Sequence, residues 1–175
     1  LVPVYNAAAT LDESFESLAA QSLGDFRVIA VDDGSTDASP RLLAAWAARD
    51  PRFTFISTPN GGIVSALNAA LAQVTAPIIA RLDADDLCDP ARFERQHLFL
   101  TRHPRAVAVG GQVSHIDEHG APVERMPHPG DPAQADPWAI PALEPYIIHP
   151  FLMARTDAMR AAGGYRHVPH CPANA

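Results

Sequence analysis

Between residues 1 and 103 the chain repeats one pattern four times: a continuously apolar run, then a stretch with helical spacing. The runs are "LVPVY", "FRVIAVDD", "RFTFIS" and "APIIARLD". Apolar runs without alternation read as strands buried on both faces. Strand–helix alternation builds a mainly parallel sheet with helices on both sides, joined by right-handed crossovers. The helix starts are marked chemically. Thr10 with Glu13 has the pattern of a capping box. Ser39 reads as an N-cap with Pro40 at the first helical position, and Asp89–Pro90 repeats that start. Phe15 and Trp46 fall at helical spacings and read as core.

After residue 105 the rhythm changes. "AVAVGGQVSHID" reads as a strand and "EHGAP" as a turn. Residues 122–150 contain eight prolines and read as a long irregular surface segment. "FLMAR" is a further strand, and "TDAMRAAGGY" a short helix stopped by Gly163 and Gly164. With 47% apolar residues in 175, one domain with a real core is expected. The net charge of −7 argues against a nucleic-acid-coating role, and no apolar run has the length of a membrane span. Cys88 and Cys171 make no disulfide framework. They read as free thiols of a reducing compartment, so the expected location is the cytoplasm, with a peripheral place at the inner face of the membrane open to it.

In an open parallel sheet, ligands bind beyond the carboxyl ends of the strands, and there the acids fall. Tyr5 and Asn6 follow the first run, Asp32 and Asp33 the second, and Asp83, Asp85 and Asp86 the fourth. Asp83 and Asp85, two residues apart in an extended segment, point the same way. Converging carboxylates are costly unless a cation lies between them. Mg²⁺ or Mn²⁺ takes such oxygen ligands together with substrate phosphates. Asp37 and Asp89 read as turn or cap residues instead. His115 and His119 stand four apart, but on a strand and turn, and with His167, His170 and Cys171 they form no structural-zinc spacing. The glycines of "NGGI" lack dinucleotide-binding spacing.

Four motifs in order, "VPVYNAAATL…SLAAQSL", "VIAVDDGSTD", "NGGIVSALNAAL" and "IIARLDADDLCDPARFERQ", resemble the family 2 glycosyltransferases. "IIHPFLMARTDAMRAAGGYR" resembles that family's acceptor-side segment. The resemblance implies an α/β, GT-A-like fold: a Rossmann-related three-layer sandwich with a mainly parallel central sheet. Residues 1–115 would be its nucleotide-sugar half, and 116–175 part of the acceptor side of the same domain. It implies transfer of a sugar, with inversion, from a nucleotide-sugar to a glycan or lipid-linked acceptor, and a role in cell-surface polysaccharide or glycolipid synthesis. A UDP-sugar is the expected donor and Mg²⁺ or Mn²⁺ the cofactor.

By the same resemblance, Pro3, Val4 and Tyr5 line the base, and Asp32 and Asp33 accept from base or ribose. Asn60, Gly61 and Gly62 form the loop beside the nucleotide. Asp83 with Ala84 lies near the ribose, and Asp85, with Asp83, holds the metal. His149, before Pro150, is placed on the acceptor side. The family often has Arg before the residue matching Asn68; here Leu67 stands there. The family's base follows the Gly-Gly-Tyr turn, but no acid follows Asp157. The base is therefore expected beyond residue 175, leaving a donor site with little transfer activity. A non-catalytic nucleotide-sugar-binding module is the alternative. An aspartyl phosphohydrolase is weaker, since the chain has no lysine and such enzymes need one.

Overall fold

The structure is a computed structural model and describes residues 1–117, 119–123 and 147–166. The expected alternation is present. Strands β1 (Val2–Val4), β2 (Val28–Asp32), β3 (Phe53–Ser57) and β4 (Ile78–Ala80) alternate with helices α1 (Leu11–Ala19), α2 (Ser39–Arg49), α3 (Ile63–Ala72) and α4 (Arg92–Arg102). β1, β2 and β3 pair in parallel, with Val2 opposite Ala30 and Val28 opposite Phe53. β4 lies on the other side of β1. The Leu1 nitrogen donates to the Ala80 carbonyl at 2.6 Å and the Leu82 N–H to the Leu1 carbonyl at 3.2 Å, the slanted pattern of parallel neighbours.

Beyond β4 comes β6 (Met153–Arg155), then β5 (Ala108–Val109). β6 runs antiparallel to both, so it alone is reversed and the sheet is mainly parallel. The long strand expected from "AVAVGGQVSHID" is shorter. Only Ala108 and Val109 find partners on β6, and Ile116 instead bridges Pro122 across the following turn. Helix α5 (Thr156–Ala161) follows β6, and Gly163 (φ 88°) and Gly164 (φ 71°) end it. Most of the proline-rich segment and His167, His170 and Cys171 lie outside the described residues. No helix among the described residues is long and apolar enough to cross a membrane.

The core has two sides. Val2, Val4, Val28 and Ala30 pack with Leu11, Phe15, Leu18, Leu43 and Trp46 of α1 and α2. Val31 packs with Ala66 and Ala70 of α3 on the opposite face. Phe15, Trp46 and Phe53 form an aromatic cluster with centroids 5.0–5.6 Å apart. Trp46 buries its ring and satisfies its indole N–H on Asp12 at 2.8 Å, as a buried Trp must.

The capping box at Thr10 does not form. Thr10 stands at the N-cap, but its hydroxyl makes no cap bond and donates to the Ala84 carbonyl at 3.0 Å. A tertiary acceptor has taken the hydroxyl that the local pattern assigned to the helix. Ser39 likewise is the first residue of α2 rather than its cap, and its hydroxyl accepts from Ala7 N–H at 2.9 Å. Asp37, in the turn before the helix, accepts from Ser39 N–H and Ala8 N–H. Asp89 accepts from Ala91 N–H at 2.9 Å, the turn role expected of it.

α4 is tied to the sheet by a buried cation. Arg92 donates to the Arg81 carbonyl at 2.7 Å and to Gln96 Oε1 at 3.0 Å, with longer bonds to the Pro150 and Leu152 carbonyls. No carboxylate pairs with it among the described residues. Several strand-end carbonyls depend on this one guanidinium, and an orphaned buried acceptor costs about 1–3 kcal/mol. Arg92→Ala should therefore lower unfolding stability by about 3 kcal/mol in urea titration. Arg95→Ala, exposed one turn on, should change it by less than about 0.5 kcal/mol.

Candidate functional site

Three parallel strands deliver polar groups to one edge. At the end of β2, Asp32 and Asp33 are both 3% exposed. Asp32 accepts from Ser35 N–H at 3.0 Å, which shapes the turn. Asp33 reaches across to the loop before α3. Its two oxygens accept from Gly61 N–H at 2.9 Å and Gly62 N–H at 2.8 Å. Gly62 is the N-cap of α3, so its N–H is an orphan donor of the helix start, and a carboxylate there is favoured by the helix dipole. Gly34 has φ 74°, and a Cβ on it would meet the Asn60 nitrogen at 2.8 Å. The two loops thus approach as closely as backbone allows. The Asn6 side chain accepts from Thr36 N–H at 2.8 Å, joining the loop after β1 to the same edge.

Among the residues expected at the base, Val4 is 1% exposed with its side chain in the core, whereas Tyr5 is 54% exposed. Pro3 is intermediate and Asn60 exposed. Ala84 is buried at 6%. Leu67 is buried at 1%, so that position of α3 offers no cation to a phosphate.

After β4 the chain enters the acid loop. Asp83, Asp85 and Asp86 each present a carboxylate oxygen, all within 4.8 Å of one another. This is the one group of three possible metal ligands of its kind among the described residues. Asp85 is exposed; Asp83 and Asp86 are half-buried. Arg81, 2% exposed, holds both oxygens of Asp83 through its two Nη atoms, one at 3.0 Å. Burial pushes Asp83 up from the usual carboxylate range, against the opposing pull of Arg81. Burial, then the charges of Asp83 and Asp85, push Asp86 to about 6. An oxygen-only donor set with excess negative charge fits a hard divalent cation.

A polar stripe on α1 grips this loop. Thr10 bonds the Ala84 carbonyl and Ser14 the Asp83 carbonyl. Ser17 Oγ accepts from Cys88 N–H at 3.0 Å. Gln21 donates to the Asp89 carbonyl at 2.8 Å and accepts from Phe93 N–H at 3.0 Å. Sequence reasoning missed these residues. Their spacing was the available signal, since 10, 14, 17 and 21 share one helical face.

His149, in a 3₁₀ turn at His149–Phe151, approaches from the acceptor-side segment. Its ring meets Tyr165 edge-on with centroids 5.5 Å apart. Burial of the covered part of the ring, then the Arg81 charge, lowers its pKa to about 4, so it is neutral at pH 7. A cleft of about 500 Å³ lies on the α4 side of the acid loop, lined by Leu87, Asp89, Arg95 and Gly110–Ser114.

The sequence matches the model of Glycosyl transferase family 2 over residues 1–161. The chain belongs to this family. It is 34% identical over 174 residues to the Bacillus subtilis (strain 168) protein EpsE, named as a glycosyltransferase, covering 96% of this chain and 59% of that one. It is 32% identical to the amylovoran biosynthesis glycosyltransferase AmsE of Erwinia amylovora, covering 95% and 63%. The chain thus spans about three fifths of the length of these relatives. Among solved structures, the mannosyltransferase PcManGT of Pyrobaculum calidifontis, in complex with GDP-Man and Mn²⁺, superposes with a TM-score of 0.69 at 23% identity, over 94% of this chain and 46% of that one. Residues 1–349 of S. aureus TarS in complex with UDP-GlcNAc give 0.70 at 20% identity, over 94% and 46%. These likenesses establish the GT-A fold.

Asp86 gives the site a pH signature in the metal-free state. Its carboxyl holds a proton more tightly in the fold than in the unfolded chain, where it titrates near 3.9. The folded state therefore loses stability as pH rises from about 4 through about 6, and the loss is complete above that. With EDTA present, Asp86→Asn should raise Tm by about 2–4 °C at pH 7.5, and the gain should vanish near pH 4. An equal gain at both pH values would show that the cost of ionising the half-buried Asp86 is not its source.

Proposed function

We propose that this domain binds a nucleoside-diphosphate sugar at the carboxyl edge of the parallel strands and transfers the sugar, with inversion, to a hydroxyl of a glycan or lipid-linked acceptor in polysaccharide synthesis. The observation that carries the reading is the acid loop, three carboxylates at the end of β4 in a chain of this family. The complexes of the fold neighbours with GDP-Man and Mn²⁺ and with UDP-GlcNAc support it, as does the polysaccharide role in the name of AmsE.

In this reading Tyr5 and the turn at Asp32 and Asp33 flank the base. Asp33 acts through the loop it holds, setting the Asn60–Gly62 backbone beside the nucleotide. Asp83, fixed by Arg81, accepts from a ribose hydroxyl, with the Ala84 backbone alongside. Asp85 and Asp83, with Asp86 adjacent, hold Mg²⁺ or Mn²⁺. When bound, that ion supplies positive charge to the leaving diphosphate. Leu67 offers no charge to it, so on this side the compensating charge would come from the ion held by the acid loop. The attacking hydroxyl comes from the opposite face of the sugar, the side to which this reading assigns His149. Neutral His149 can position a hydroxyl without repelling a cationic metal site. The hydroxyl's proton must pass to a general base as it attacks.

A panel of UDP- and GDP-sugars should raise Tm by several degrees for its cognate member, with UDP-sugars the first choice and Mn²⁺ required. Asp85→Ala should fold as well as wild type and lose the Mn²⁺-dependent part of the shift. No stabilisation by any member, or the same shift with and without Mn²⁺ in both proteins, would contradict the assignment.

A further inference from the structure

α3 carries an asparagine in its interior, where the residue is an indifferent helix former. Its partner is distant in sequence. Asn68 Nδ2 donates to the Tyr165 carbonyl at 2.8 Å, and Asn68 Oδ1 accepts from Tyr165 N–H at 3.0 Å. One carboxamide thus satisfies both backbone groups of one residue, as a neighbouring strand would. The turn it grips is shaped to fit. Gly164 has φ 71°, and a Cβ there would lie 2.7 Å from Asn68 Oδ1, so both its conformation and the clamp exclude a side chain.

The clamp fixes where the Tyr165 ring goes. The ring meets His149, and the Arg81 guanidinium acts on both side chains. The same guanidinium holds Asp83. The Tyr165 hydroxyl is buried and has no hydrogen-bond partner among the described residues, a rare and costly condition for a polar atom. Burial accordingly raises its pKa above the usual 10. The other end of α3 is also tied down, through Asp33 on Gly61 and Gly62. α3 therefore spans from the nucleotide-side loop to the acceptor-side turn, and Asn68 makes the second connection.

We propose that Asn68 is a positioning residue: by clamping the backbone of Tyr165 it seats Tyr165 and His149 beside the Arg81–Asp83 pair. The catalytic part of this inference rests on the function proposed above; the clamp itself does not.

The test separates the two. The chain has three tyrosines, Tyr5, Tyr146 and Tyr165, so 3-fluorotyrosine labelling gives three ¹⁹F lines, with Tyr165 assigned by Tyr165→Phe. In wild type the Tyr165 phenol should titrate later than free 3-fluorotyrosine. In Asn68→Ala its line should move to the shift and titration of an exposed tyrosine. Affinity for UDP with Mn²⁺ should stay within about twofold, while turnover of the donor found by the stabilisation panel falls about tenfold or more at unchanged KM. Asn68→Asp keeps an acceptor for Tyr165 N–H but loses the donor, and should fall between. Gly164→Ala breaks the clamp from the other side and should reproduce Asn68→Ala. An unmoved Tyr165 line in these variants overturns the clamp. A turnover loss matched by an equal loss of UDP affinity overturns the positioning role, since it signals general loosening. If wild type binds no nucleotide, the functional reading falls, and the ¹⁹F lines still decide the clamp.

Discussion

Mutual repulsion among Asp83, Asp85 and Asp86 is the constraint around which this fold is arranged. Two unit charges about 5 Å apart in a medium of effective dielectric 20 repel by about 3 kcal/mol. A loop carrying three of them would splay into water if left free. Arg81 restrains Asp83 directly. The remaining restraint acts on the backbone: Thr10, Ser14, Ser17 and Gln21 of the α1 segment each bond a main-chain group between Asp83 and Phe93. Arg92 holds the Arg81 carbonyl at the mouth of the same loop. Arg81 offsets one of the three charges and the backbone bonds neutralise none, leaving a net negative pocket. A divalent cation is the ligand such a pocket favours.

The other half of the edge follows the opposite rule. There a carboxylate is satisfied locally: Asp33 uses both oxygens on the Gly61 and Gly62 N–H groups just before α3. The contrast sorts the acids by task. Asp33 shapes a loop, Asp32 shapes a turn, and the group after β4 keeps its charge for something absent from the polypeptide. Arginine serves as the connecting cation throughout. Arg155 bonds the Leu100 and Ala106 carbonyls, and Arg160 the Leu71 and Val74 carbonyls. In a chain without lysine, the planar fork that reaches two acceptors at once is used to tie strand and helix ends.

Local periodicity made the first four strands, their helices and the parallel sense of β1–β3 legible, because each depends on neighbours in sequence. The insertion of β6 between β4 and β5 was not, because its pairing joins Ile78 to Arg155, far apart in the sequence. The same distance explains the missed details. Thr10 has the local signature of a cap, yet its hydroxyl goes to Ala84. Asp33 has the position of a ligand contact, yet its oxygens go to Gly61 and Gly62. The acids of the loop after β4 were visible as a cluster, whereas Arg81, two residues earlier, read as part of a strand. The Asn68–Tyr165 clamp left no sequence signal beyond an asparagine in a helix and a Gly-Gly-Tyr turn.

The central claim is that the acids after β4 form a divalent-cation site completed by a nucleoside diphosphate. Titration of Mn²⁺ followed by electron paramagnetic resonance, with and without UDP, tests it directly. The account predicts that wild-type protein with UDP depletes the hydrated-Mn²⁺ signal at one equivalent, and that Asp85→Asn of unchanged fold does so much more weakly. Equal depletion by both proteins, or none by wild type in the presence of UDP, would contradict it.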